Sequence, residues 1–313
     1  MRLNHGTLKS DPKDTVIPFI NKSDRISFLC DLEVILLSST TKLYTIKPAS
    51  MWHVFDLPEL WSFRGLLSTL IGRNLRIRYK HSFIGFGWVL LQPALTMLIY
   101  TLFFGLMIRI QSHDVPYALF AYSGIVLWGY IAKTIQEGST SITANNMLVK
   151  KVYFPRLLIP LSITLGNLLD FLVGTSLLFF LLWYYHIPAS WHMFYAVGFI
   201  LMAVFCCSGV AIWLTTLDVR YRDIRQAVPL FVQLWMFSSP IIYPASMVPE
   251  RFRQWYELNP MVSIIEGFRW SLLGKTPPPT VESVIIAMIV ISLLFFSGVL
   301  YLGKVQREMS DIL

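Results

Sequence analysis

A charge-free apolar stretch of 27 residues runs from Ser82 to Ile108, behind a basic cluster of Arg73, Arg76, Arg78 and Lys80. About 20 apolar residues cross a bilayer as a helix, so this run is long enough even when tilted. Gln92-Pro93 predicts a kink inside it. Five further apolar segments follow, at about Val115–Ala132, Leu157–Trp183, Met193–Leu217, about Ala227–Tyr243 and about Val284–Leu302. The fourth of these five is short and closed by Pro240 and Pro244. Ahead of the first run, Leu57, Leu60, Trp61, Leu67, Leu70 and Ile71 recur at helical spacing, with Arg64, Arg73 and Arg76 on the rest of the surface. Asp56 with Glu59, and Pro58 in the first turn, resemble a capped start. Asp56–Lys80 therefore reads as an amphipathic helix in the membrane interface, with an ordinary soluble amphipathic helix as the plain alternative.

Ser246–Pro279 breaks this rhythm, being long for a loop and too interrupted to span. Leu258-Asn259-Pro260 divides it into two amphipathic pieces, the second carrying Glu266 and Arg269. The pattern suits a re-entrant hairpin over about 246–275, or two helices lying flat on the outer surface. The expected fold is all-α integral membrane. It has an N-terminal extension over 1–55, an interfacial helix over 56–80, six transmembrane helices over 81–304 with the re-entrant hairpin before the last span, and a tail over 305–313.

Charge orients this arrangement. With six crossings, 21 basic residues fall on one side and five on the other, accounting for all 26. Lys and Arg resist translocation, so both termini are expected in the cytoplasm. The net charge of +8 sits beside apolar runs and reads as a topology signal rather than a nucleic-acid surface. Only 14% of residues are charged, against about a quarter in soluble domains, which excludes an ordinary soluble fold. The cysteines, Cys30 and the neighbours Cys206 and Cys207, form no disulfide or zinc framework. The first 25 residues are polar, with Pro12 and Pro18, so no cleavable signal peptide is expected.

Candidate chemistry is sparse. The sequence carries no H-E-x-x-H or G-x-S-x-G, and the phosphate-loop imitation ending in Gly274-Lys275-Thr276 has Arg269 where glycine is required. No catalytic residue, metal-ligand set or nucleotide site of its own is expected. His113, His186 and His192 fall in outer loops. Asp170, one turn after Asn167, sits mid-way along the third span. An ionisable group there should face a cavity or a partner helix, as a polar wall of a translocation path or as a structural interhelical bond. A proton relay has no second mid-membrane acid to use. Trp88, Tyr100, Tyr117, Tyr122, Trp128, Tyr130 and Trp235 offer faces that stack on sugar C–H surfaces, or else form interfacial belts. Two cytoplasmic loops, Lys133–Arg156 with Glu137 and a polar run, and the densely charged Asp218–Arg225, read as docking surfaces for a soluble partner or as plain topology anchors.

At this point a resemblance is specific. Arg76-Ile-Arg-Tyr-Lys80 leading to Gly85-Phe-Gly-Trp88 and Leu91-Gln-Pro93 resembles the start of type-2 ABC exporter permeases that move polysaccharides. Lys150-Lys-Val-Tyr-Phe-Pro-Arg156, Asp218-Val-Arg-Tyr-Arg-Asp223, Ser239-Pro-Ile-Ile-Tyr-Pro244, Asn259-Pro-Met261 and Glu266-Gly-Phe-Arg269 follow in the same order. The resemblance implies a homodimer with two copies of a separate cytoplasmic ABC ATPase, which binds the ATP and Mg. It implies export of undecaprenyl-linked polysaccharide, such as O-antigen, across the bacterial inner membrane. It further implies an ATPase-coupling segment at Ser141–Lys151, including Ser141, Asn145, Asn146, Leu148, Lys150 and Lys151. A second contact falls at Arg220, Arg222 and Asp223, and Leu57–Ile71 lies against the ATPase. Trp88, Tyr100, Tyr117, Tyr122, Trp128 and Trp235, with Asp170, become glycan-channel candidates. The alternatives are an exporter of another lipid or drug with the same architecture, and a membrane-embedded glycan- or lipid-modifying enzyme.

Overall fold

Hydrocarbon leaves backbone N–H and C=O groups no water to bond, so an apolar chain of this kind satisfies them internally as helices. In a computed structural model of the chain, residues 57–80, 85, 87–110, 115–188 and 190–306 are described, all within one unit, Ala49–Leu313. The expectations for the extension 1–55, Cys30, the Asp56 cap, the Ser82 start, His113 and the tail beyond 306 lie outside the described residues.

The elements are α1 (Leu57–Ser62), α2 (Arg64–Tyr79), α3 (Gly87–Tyr100), which continues as a π-helical stretch Thr101–Met107, α4 (Tyr117–Ser139), α5 (Ser141–Ala144) and α6 (Asn146–Lys151). Then come α7 (Leu158–Tyr184), α8 (Met193–Arg220), α9 (Ile224–Phe237), α10 (Glu250–Glu257), α11 (Pro260–Leu273) and α12 (Val281–Val305). Among the described residues, five helices are long and apolar enough to cross a membrane: Gly87–Met107, α4, α7, α8 and α12.

Several boundaries differ from expectation. The interfacial helix is broken at Phe63 into α1 and α2. The second span continues seven residues past Ala132 to Ser139, so Lys133 and Glu137 are helical rather than loop residues. The fourth runs on to Arg220. The fifth is displaced: in place of Ala227–Tyr243 stands α9, 14 residues ending at Phe237 and followed by turns. At 1.5 Å per residue α9 is about 21 Å long, short of a hydrocarbon core of about 30 Å.

Local chemistry sets the other ends. α11 starts where the Asn259 side chain accepts the Met261 N–H at 3.1 Å with Pro260 in the first turn, and it ends at Gly274, whose φ of 64° is a left-handed cap. Pro277-Pro278-Pro279 forbids helix and leads to the Thr280 cap of α12.

α4 is the centre of the bundle, packed on α3, α7, α8, α9 and α11. Leu119, Ala121, Tyr122, Leu127, Ile131 and Ile135 on it have no exposed surface. α8 and α12 approach through glycines: a Cβ on Gly209 would lie 2.9 Å from the Phe295 N, and one on Gly298 would lie 3.2 Å from the Gly209 O. Between apolar helices in lipid, such close packing replaces the hydrophobic drive. α3, by contrast, buries no side chain in this chain. Leu95, Leu98 and Ile99 on α3, and Leu230, Leu234 and Phe237 on α9, are exposed.

Candidate functional site

A cavity of about 500 Å³ opens between α3, α4 and α7. Trp88, Gln92, Thr96 and Tyr100 line it from α3, Trp128, Lys133 and Gln136 from α4, and Asn167 and Asp170 from α7. Of the channel candidates, Trp88, Tyr100, Trp128 and Asp170 therefore share one wall. Tyr117, Tyr122 and Trp235 lie off it. Tyr122 is fully buried with its hydroxyl donating to the Gly174 carbonyl at 2.8 Å, and Tyr117 donates to Ile242 O at 2.8 Å. Trp235 touches Trp128 edge-on, centroids 6.1 Å apart, and gives its indole N–H to Asn259 Oδ1 at 2.9 Å.

At the Asp170 end of the cavity the charges are matched. The Asp170 Oδ2 accepts from Arg78 Nη1 and from Lys133 Nζ at 2.8 Å, and its Oδ1 accepts the Tyr79 hydroxyl at 2.7 Å. The Arg78 Nη2 reaches Glu137 at 2.7 Å and Asn167 at 2.9 Å, and Asn167 Nδ2 donates to Glu137 at 3.1 Å. Two cations thus meet two carboxylates from three helices, which makes a buried acid tolerable. Burial first, and the bond to Asp170 second, push the Tyr79 phenol up to about 12, so it stays a donor at neutral pH. The sequence offered Arg78 only as a topology cation and Lys133 and Glu137 only as parts of a docking loop, and Glu137 is a second acid beside Asp170 that the loop assignment had removed. Their signal is present only in retrospect: Lys133 and Glu137 lie one turn apart, and so share a helix face.

α2 links this wall to the segment between α4 and α7. Arg73 Nη2 donates to Asn145 Oδ1, five residues before Arg78 grips Asp170, and Asn74 reaches Ser162 at 3.5 Å. Leu60, Phe63, Leu66 and Leu67 pack on an apolar cluster of Ile142, Phe154, Leu157 and Leu158. Ser141 and Asn145 therefore face the protein itself: the Ser141 Oγ lies 3.2 Å from the Thr215 Oγ1. Leu148 is half-buried on the same cluster, while Asn146, Lys150 and Lys151 are exposed beside Met147 and Tyr153. The second loop is tied to the first through Asp218, whose side chain has no exposed surface. Thr143 donates to it at 2.5 Å and the Arg225 Nε at 2.7 Å. Arg220, Arg222 and Asp223 lie exposed next to that junction.

At the other end of the bundle, Arg269 is buried and Glu266 half-buried. Arg269 donates to Ser123 Oγ at 3.3 Å, to Pro240 O at 3.1 Å and to Ile241 O at 3.2 Å, and stands 3.6 Å above the Phe120 ring. It pins the turn after α9 to α4. Glu266 accepts the Ala245 N–H at 3.3 Å. α11 is almost wholly buried, whereas α10 exposes Phe252 and Trp255.

Comparison with known proteins bears on this geometry. The family model described as ABC-2 type transporter matches residues 65–273. The O-antigen export system permease protein RfbA of Myxococcus xanthus is 30% identical over 213 residues, 67% of this chain and 81% of that protein. A protein of the same name from Klebsiella pneumoniae is 30% identical over 236 residues, 75% of this chain and 87% of its own. The polysialic acid transport protein KpsM of Escherichia coli is 22% identical over 253 residues, 78% of this chain and 95% of that protein.

Proposed function

The chain belongs to the ABC-2 type transporter family, and from that premise we propose how it works as the transmembrane subunit of an ABC polysaccharide exporter. It is a multi-pass membrane protein that supplies the path, and a separate ABC ATPase supplies the energy. Two copies of the chain pair with two ATPases in the bacterial inner membrane, both termini cytoplasmic. α9 with the turns after it makes the crossing that completes six, and α10–α11 form the re-entrant segment before α12. The substrate is an undecaprenyl-linked glycan, which slides over Trp88, Tyr100 and Trp128, whose rings offer apolar faces to sugar C–H surfaces and polar edges to hydroxyls.

One observation carries the mechanism. α2 holds Asn145 of the docking loop through Arg73 and Asp170 of the cavity wall through Arg78. ATP-driven closure of the ATPases against Asn146–Lys151 therefore moves α2 and the wall as one lever, a rigid-body switch between two packings. The exposed residues Asn146, Lys150, Lys151, Arg220, Arg222 and Asp223 make the contact, and Ser141 and Asn145 hold the loop to the bundle.

The test is to purify the chain with an ABC ATPase, reconstitute it, and compare ATP hydrolysis with glycan export in wild type and Arg73→Met. The variant should hydrolyse ATP while exporting poorly. A wild-type chain that exports without any ATPase, or an Arg73→Met complex as well coupled as wild type, would defeat the lever.

A further inference from the structure

Three donors converge on Asp170, and it keeps two of them if the third leaves. Its Oδ1 accepts the Tyr79 hydroxyl at 2.7 Å and its Oδ2 accepts Arg78 Nη1, both from α2. The third donor is Lys133 Nζ, 2.8 Å from Oδ2, on a residue that lines the 500 Å³ cavity. Access separates the partners: the Asp170 side chain is 8% exposed, and that of Lys133 is 36% exposed. Glu137, the other carboxylate of the network, is turned to Arg78 and Asn167 and is no part of the cavity wall. An ammonium has three donors, of which Asp170 takes one. Lys133 is therefore the exchangeable cation of the network, free to turn to an anion without leaving Asp170 unmatched.

The space in front of it selects the anion. Its volume is in the range that encloses a small-molecule-sized group. Gln92 and Gln136 present exposed amides to it, and Trp88 and Trp128 bring aromatic rings. α2 ends at Tyr79 and the first span starts at Gly87. With both termini cytoplasmic, as proposed, Lys133 lies near the depth of the inner-leaflet headgroups, where basic pockets between spanning helices take lipid phosphates. A sugar bonded directly to a lipid phosphate sets its oxyanion on Lys133, its hydroxyls on the amides and its ring on the tryptophans. The glycerol of phosphatidylglycerol has no ring to place there.

We propose that Lys133 is the counter-ion for the phosphate of a lipid-linked sugar, its Nζ passing from Asp170 to a phosphate oxygen as the head enters the cavity. The proposal rests on the polysaccharide-transport reading for the sugar, and on the cation exchange for its place. Arg78 and Tyr79 keep Asp170 in their grip meanwhile, so the head is taken up without loosening the wall.

Native mass spectrometry of the wild-type complex with its ATPase, in phosphatidylcholine nanodiscs, tests it. The probes are undecaprenyl diphosphate bearing one N-acetylglucosamine, undecaprenol, and phosphatidylglycerol. The sugar diphosphate should bind at least tenfold more tightly than either of the others. Lys133→Met should weaken it about tenfold, the worth of one charge-assisted hydrogen bond, and leave undecaprenol binding unchanged. Lys133→Arg, which keeps the charge, should retain most of the affinity. Thermal unfolding of each variant complex establishes that it is folded. The proposal fails if undecaprenol or phosphatidylglycerol binds as tightly as the sugar diphosphate, or if Lys133→Met weakens all probes alike or none. A complex that exports glycan while Lys133→Met binds the sugar diphosphate as wild type does sinks this counter-ion alone. A complex that neither assembles with an ATPase nor exports sinks the transport reading.

Discussion

Asp170 shows how a charge becomes affordable inside a membrane domain. Its side chain is 8% exposed, and it is matched by Arg78 at 20% and Lys133 at 36%. Removing one partner of a buried pair costs about 3–5 kcal/mol, whereas an exposed partner is worth less than about 1 kcal/mol. Asp170→Asn leaves two cations facing a neutral amide, so we expect it to lower stability by about 3 kcal/mol, while Lys133→Met costs under about 1 kcal/mol. Thermal unfolding of the reconstituted complex ranks the two, and equal effects would mean that the pair is not buried. Arg78→Lys retains the charge but loses the planar fork that spans Asp170, Glu137 and Asn167. It should therefore fold and export slowly, because one ammonium does not reproduce three directed bonds.

Helices here are separated by what their glycines permit. At Gly209 the obstruction is the backbone of Phe295, which no rotamer change relieves, so Gly209→Ala should force α8 from α12 and cost about 1–3 kcal/mol. Gly198 in the same helix has nothing within 4 Å, and Gly198→Ala should stabilise by about 0.5–1 kcal/mol. Differential unfolding of the two variants checks the sign of each. The loops after α4 and α8 are joined at the buried Asp218, so Thr143→Val should loosen one loop from the other and lower glycan export per ATP hydrolysed, measured on one preparation. The same scale shows what was legible beforehand. α7 and α12 were readable as long apolar runs because Asn167 and Asp170 are too few to break the pattern of α7, and the charges of α12, Glu282 and Lys304, sit at its ends. The lower half of α4 was not, since Lys133 and Glu137 look like a loop until Arg78 and Asp170, 55 and 37 residues from Lys133, arrive to neutralise them. α9 was misplaced for a related reason: Arg225 is held by Asp218, so the helix begins inside a charged stretch. Arg269 was found by its motif, but its role in pinning the Pro240–Ile241 carbonyls is a tertiary fact that no local pattern encodes.

For the whole molecule, the placement of its two ends relative to the bilayer decides everything else. If α9 and its turns complete a crossing, Tyr153→Cys and Tyr221→Cys should react with an impermeant maleimide only after the inner face is opened, and Trp191→Cys and Trp255→Cys should react in intact cells. All four positions are exposed in the fold, so labelling reports side rather than burial. Reaction of Tyr221→Cys in intact cells would reverse the direction assigned to the path.

The π-helical stretch Thr101–Met107 has one more consequence. Wound wider than its neighbour α3, it carries surplus backbone relative to an ordinary helix, as such stretches do at working sites. Shedding one residue of that slack would swivel the distal tip of the span by about 100° while its root, α3, which packs on α4 and α7, stayed still. The first crossing is thereby furnished with a swivel joint, able to turn its greasy tip toward or away from a neighbour without unwinding.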